Sequence, residues 1–225
     1  MYNNSQSELN QKLVRIAHSL INSLSSEGEE ILKIAHQLQD NTLVGNVPSN
    51  DLLRSLQLLL EDNGIQFAVI GGLAVMVHGS PRSTSDINVL VDCLLPSDRV
   101  KDSVYMERFG FYKKSNPSST GIVMTIDHRR SGYAECLLAN DELERWAIGT
   151  AKVQSLLGAI IPVVSPEALV ALKVRAWMSS QGKRMNDPGD IISVLTRNRD
   201  INIEEIKVHL NTAEIEYFTK LVLMI

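Results

Sequence analysis

The residues best suited to chemistry lie between positions 70 and 90. Ile70-Gly71-Gly72 closes a short apolar run, and thirteen residues later comes Asp86-Ile87-Asn88-Val89. A glycine pair at a strand-to-helix turn lets a ligand approach backbone N–H groups at a helix N-terminus, where the helix dipole favours phosphate. Oxygen-bearing side chains at i and i+2 of a strand point to one face, so Asp86 and Asn88 can reach one hard cation such as Mg2+. These are the parts that phosphoryl or nucleotidyl transfer requires. Asn88 has a second reading, because an asparagine also satisfies a sheet edge or a turn without any ligand.

The elements that must hold these residues follow from periodicity. IQFAVIGG reads as a strand ended by glycines and LAVMVHG as a helix. DINVLVD reads as a strand with Asp86, Asn88, Leu90 and Asp92 on one face. Upstream, Leu52, Leu53, Leu56, Leu59 and Leu60 predict a helix capped at Ser49 or Asn50. Downstream, a helix is expected near Ser97–Arg108, followed by strands in FGFYKK, GIVMTIDH and YAECLLA. In the last of these Glu135 faces away from Ala134 and Cys136. Helices are predicted from Ser165-Pro166, from Asp187-Pro188 with Asp187 as N-cap, and over Ile203–Leu223. Leu9, Leu13, Ile16, Leu20 and Leu24, then Ile31, Ile34 and Leu38, predict helix near the start. The expected organisation is a helical N-terminal segment over 1–45, a core over 50–150 with a small mixed sheet, and a helical region over 151–225. The fold class is α/β (α+β).

Composition narrows the function. The 225 residues carry 22 Lys and Arg against 26 Asp and Glu, a net charge of −4, so no global attraction draws the chain to nucleic acid or to an anionic membrane. A polyanion would have to meet a local patch, such as Arg129-Arg130 with His128, or Lys183-Arg184. Cys93 and Cys136 have no CxxC spacing, which argues against structural zinc and a disulfide framework and suits small buried hydrophobes. MYNNSQSELNQ has no basic-then-apolar signal, and Phe67–Val77 is too short to span a bilayer, so a cytoplasmic location and no membrane partner are expected. His78 suits packing at a helix end, and Tyr133, Met124 and Trp146 suit the core. Lys173 sits in a helix that is apolar almost all round, where it must snorkel to solvent or meet an anion.

IGGLAVMVHGSPRSTSDINVLV resembles the polymerase-β-like nucleotidyltransferases, and more narrowly the small bacterial AbiEii-type toxins, over Phe67–Val91 and more weakly to Asp190. The resemblance implies transfer of NMP from an NTP with a two-ion Mg2+ site to a tRNA, protein or small-molecule acceptor. It implies Asp86, residue 88 and Glu135 as metal ligands, and Gly71, Gly72, Arg82 and Thr84 around the nucleotide. Lys173, Lys183 and Asp187 would then meet phosphates, nucleotide or acceptor. It further implies a toxin or phage-defence role, with an antitoxin or a second copy engaged through the N-terminal helices. Asn88 departs from the pattern, since a carboxylate is expected there. The substitution lowers the ligand charge from −3 to −2 and implies slow chemistry, or nucleotide or protein binding without turnover.

Overall fold

In the computed structural model of the chain, the residues described are 50–225 other than 81–83, 85, 116–121, 129–131, 183 and 224. The predicted N-terminal helical segment, Arg82, Arg129, Arg130 and Lys183 therefore lie outside the described residues. Within Pro48–Ile225 the chain forms one unit. Helix α1 (Asn50–Asp62) buries all five leucines of its predicted stripe. Strand β1 (Phe67–Ile70) leads directly into α2 (Gly71–His78), and β2 (Asp86–Val91) follows.

The helix expected near Ser97–Arg108 is two short ones, α3 (Ser97–Lys101) and α4 (Ser103–Arg108). Asp102 breaks them because its backbone is extended and its carboxylate accepts from the Tyr105 N–H, capping α4. Strands β3 (Phe111–Ser115), β4 (Ile122–His128) and β5 (Gly132–Leu138) come next, then α5 (Glu142–Gly149). Where the sequence suggests a helical region from residue 151, the structure has a hairpin, β6 (Lys152–Leu156) and β7 (Ala159–Val163). Its inner strand alternates buried Ala159, Ile161 and Val163 with exposed Ile160 and half-buried Pro162. The seven strands lie in the order β3-β4-β5-β2-β1-β7-β6. The sheet is mixed, because β2 runs parallel to β5 and β1 parallel to β7 while the other neighbours are antiparallel.

Helix α6 (Pro166–Ser179) explains its own composition. It packs against α2, α5, α7 (Asp187–Arg197), α8 (Ile203–Val208) and α9 (Thr212–Val222), so an all-round apolar surface is what its position demands. Ser165 caps it by accepting from the Ala168 N–H, as its sequence predicts. The single helix expected over Ile203–Leu223 is split at Asn211, which with Glu214 forms a reciprocal capping box at the start of α9. Cys136 is buried, but Cys93 is exposed rather than buried, since it follows the end of β2.

Candidate active site

The site is built by the strand register. Asn88 of β2 pairs with Glu135 of its parallel neighbour β5 and with Ile70 of its antiparallel neighbour β1. Paired residues share a sheet face, so Asp86, Asn88 and Glu135 stand together, and Gly71 follows Ile70 directly above them. The opposite face carries Ile87, Val89, Ala134 and Cys136, all fully buried. The alternation that sends Glu135 away from Ala134 and Cys136 is thus the one that brings it beside the acidic strand.

Gly71 has φ +65°, and a Cβ there would lie 3.3 Å from Asn88 Cβ. Both the backbone conformation and the close approach require glycine. The first turn of α2 accordingly begins over Asn88, and Ile70 at its N-cap offers no side-chain cap, so its first N–H groups are without the usual internal acceptor. Gly72 is buried within that turn.

Asp86 receives two donors. Thr84 Oγ1 donates to Oδ1 at 2.9 Å, and Asn88 Nδ2 donates to Oδ2 at 2.7 Å. Thr84 therefore touches the carboxylate itself. Tyr133, expected in the core, stands half-buried on the polar face opposite Asp86 in the register. Burial raises its pKa, and the nearby Asp86 and Glu135 charges raise it further, which keeps the phenol protonated as a donor. Burial, helped by Glu135, pushes the Cys136 thiol up to about 12, so it behaves as an inert hydrophobe.

Two residues of this face were missed from sequence. Thr125 and Asp127 of β4 pair with Glu135 and Tyr133. The alternation of Thr125 and Asp127 with Met124 and Ile126 is visible in the sequence, but only the register shows that their face is the acidic one.

The donor set is hard oxygen, as Mg2+ prefers, with the carboxylates of Asp86, Glu135 and, one strand further out, Asp127, together with hydroxyls. Among the described residues no three His, Cys, Asp or Glu side chains converge as a metal site. Asn88 turns its amide N–H to Asp86, so it donates within the protein and adds no negative charge to the face. The chemistry of this donor set suits a single hard cation better than two, because Asn88 brings no charge to it.

The second group of predicted site residues is separately accounted for. Lys173 is 6% exposed, and its Nζ lies 2.8 Å from Asp187 Oδ1 and 2.7 Å from Asp190 Oδ2. The anion that this buried lysine meets is the protein's own. Asp187 does not act as the predicted N-cap, since Asn186 holds that position and α7 begins at Asp187 itself. Two carboxylates against one ammonium leave an excess negative charge, which the N-terminus of α7 offsets because both aspartates lie in its first turn. Asp187 also raises the pKa of Tyr217, after burial.

The local basic patch loses one expected member. His128 turns toward Phe111, edge-on at 5.4 Å, and toward Gly110, and burial lowers its pKa, so it is neutral and inward. His78 has the expected packing role at the end of α2, donating from Nε2 to the Val164 carbonyl at 2.7 Å.

No protein-family model matches the chain, and no curated protein sequence matches it. Solved structures resemble it at a distance. An antigenic nucleotidyltransferase-like protein from Paracoccidioides brasiliensis is 19% identical, with 68% of this chain and 78% of that one covered at a TM-score of 0.44. The antibiotic-resistance factor ANT(2'')-Ia is 14% identical, with 77% and 92% covered at 0.47. The lincosamide antibiotic adenylyltransferase LnuA is 18% identical, with 67% and 98% covered at 0.43. At these identities and scores the likeness is distant, and the site has to be understood from its own geometry.

Proposed function

We propose that the face formed by Asp86, Asn88 and Glu135 under the start of α2 is a nucleotide site, and that the chain transfers NMP from an NTP to an RNA, protein or small-molecule acceptor. The observation that carries this reading is the register Ile70–Asn88–Glu135, which sets a left-handed glycine and a helix N-terminus against two carboxylates on adjacent strands. Gly71 lets the chain turn closely over Asn88 into α2, whose N-terminus supplies N–H groups and a positive dipole end for a phosphate. Asp86 and Glu135 would hold one Mg2+, which when bound neutralises charge on the triphosphate. Tyr133 stays protonated beside both carboxylates and is placed to donate to an anionic or hydroxyl-bearing ligand.

The hydrogen bond from Asn88 to Asp86 favours a second reading, a nucleotide- or protein-binding regulator with little or no turnover. It satisfies the Asp86 oxygen from within the protein and removes one charge from the site. The two readings separate in one experiment, titration calorimetry of wild type and Asn88→Asp with each NTP, with and without Mg2+. Mg2+-dependent binding that tightens by about tenfold or more in the variant is expected, since altering partners of a metal changes affinity by roughly 10–100-fold. Label transfer from the bound NTP to tRNA or protein would then establish the enzyme, and binding without transfer the regulator. No nucleotide binding by either form would sink both nucleotide readings.

A toxin role, with an antitoxin or a second copy bound through residues 1–45, belongs to the same proposal. It requires that growth arrest on expression disappear in Asp86→Ala; arrest that persists in that variant would refute it.

A further inference from the structure

Thr125 stands in the register row that begins at Ile70 and runs through Asn88 and Glu135. It pairs with Glu135 in the β4–β5 ladder, so both side chains leave the same face of the sheet. The residue is 7% exposed, and its Oγ1 is buried with no hydrogen-bond partner among the described residues. A buried hydroxyl without a partner destabilises the fold, and valine would fill the same volume in a strand at no such cost. The hydroxyl is therefore unexplained by packing. Its register neighbours are Ser115 on one side and the carboxylate of Glu135 on the other, and a hydroxyl can give that carboxylate a directed hydrogen bond.

We propose that Thr125 is a positioning residue for Glu135, donating to its carboxylate when Glu135 engages a cation. This rests on the assignment of Asp86 and Glu135 to one Mg2+. A ligating carboxylate has oxygen lone pairs to spare, and a second donor that fixes its orientation raises its value as a ligand. The unpartnered hydroxyl is then a cost carried in the cation-free protein and recovered on binding.

The test uses the full chain with Mn2+ as the probe, titrated calorimetrically into wild type, Thr125→Val and Thr125→Ser, each also in an Asn88→Asp background that adds a ligand. Thermal unfolding in chelator is measured alongside. Thr125→Val is expected to bind Mn2+ about tenfold more weakly while melting at or above the wild-type temperature without metal, and Thr125→Ser to restore the affinity to about the wild-type value. That split between affinity and stability is one that a purely structural role would not produce. Unchanged Mn2+ affinity in Thr125→Val, or equal weakening in Thr125→Ser, overturns the role of the hydroxyl while leaving the cation site standing. Absence of Mn2+ binding in both wild type and Asn88→Asp overturns the cation site, and the role of Thr125 with it.

Discussion

Two groups of acids in this protein meet their charge problem in opposite ways. Asp187 and Asp190 are buried and are matched by Lys173, a cation built into the chain. Asp86 and Glu135 lie on the sheet face under α2, where, among the described residues, a neutral amide and a neutral hydroxyl donate to Asp86. In the first group the fold has closed the account internally and nothing further is required. In the second, these contacts to Asp86 come from neutral groups, and an acid held by neutral donors keeps its charge available to a ligand. The difference also explains why Lys173, the more conspicuous residue in sequence, is the less informative one: its burial has a structural answer.

The largest effect should follow from breaking the internal pair. Lys173→Met leaves two buried carboxylates without their cation, and removing one partner of a buried pair costs about 3–5 kcal/mol. Urea unfolding should show that loss, with most of it recovered when Asp187→Asn and Asp190→Asn are added. If Lys173→Met proved as stable as wild type, Lys173 would have to be free for a ligand after all.

Gly71→Ala should come next. A side chain at φ +65° costs about 1–2 kcal/mol, and here it also presses on Asn88. The variant should unfold more easily and lose whatever binds at the start of α2. Full retention of NTP binding would separate the glycine from the site.

A smaller and conditional effect is expected from Asn88→Asp. Without metal it exchanges a donated hydrogen bond for a further carboxylate beside Asp86 and Glu135, a loss of about 1 kcal/mol that Mg2+ should reverse. A variant whose melting temperature ignores Mg2+ would place this face in the same category as the Lys173 group.

How much of this was visible in the sequence depended on range. The glycine turn, the acidic strand and the cap at Ser165 are local and local spacing displays them, whereas the cap at Asp102 was passed over inside a single expected helix. The hairpin at Lys152–Val163 was missed because its outer strand, KVQSL, is polar and lies at a sheet edge. The join of Asn88 to Glu135 needed strand order and register, which no single segment encodes. Thr125, Asp127 and Tyr133 gained meaning only through that join. Asp187 shows the reverse case, a good local N-cap signal overridden by a distant lysine.

The smallest effect concerns the residue that ties the two regions together. His78 ends α2, donates to the Val164 carbonyl, and through its own carbonyl accepts from Asn198 at the end of α7, at 2.7 Å in each case. Burial lowers its pKa, against the opposing effects of the Val164 hydrogen bond and the Glu167 charge. With the folded value below the unfolded 6.5, the unfolded chain binds the extra proton first as pH falls. The contribution of His78 is therefore complete above that range and declines as pH drops below about 6.5. His78→Gln can keep a donor at the position without the titration, so its stability should fall less steeply than that of wild type between pH 7 and 5. His128, also lowered, contributes in the same sense, and a His128→Gln control should leave the part of the slope due to His78. If the slopes of wild type and His78→Gln coincide, the link from α2 to α7 is insensitive to protonation of His78.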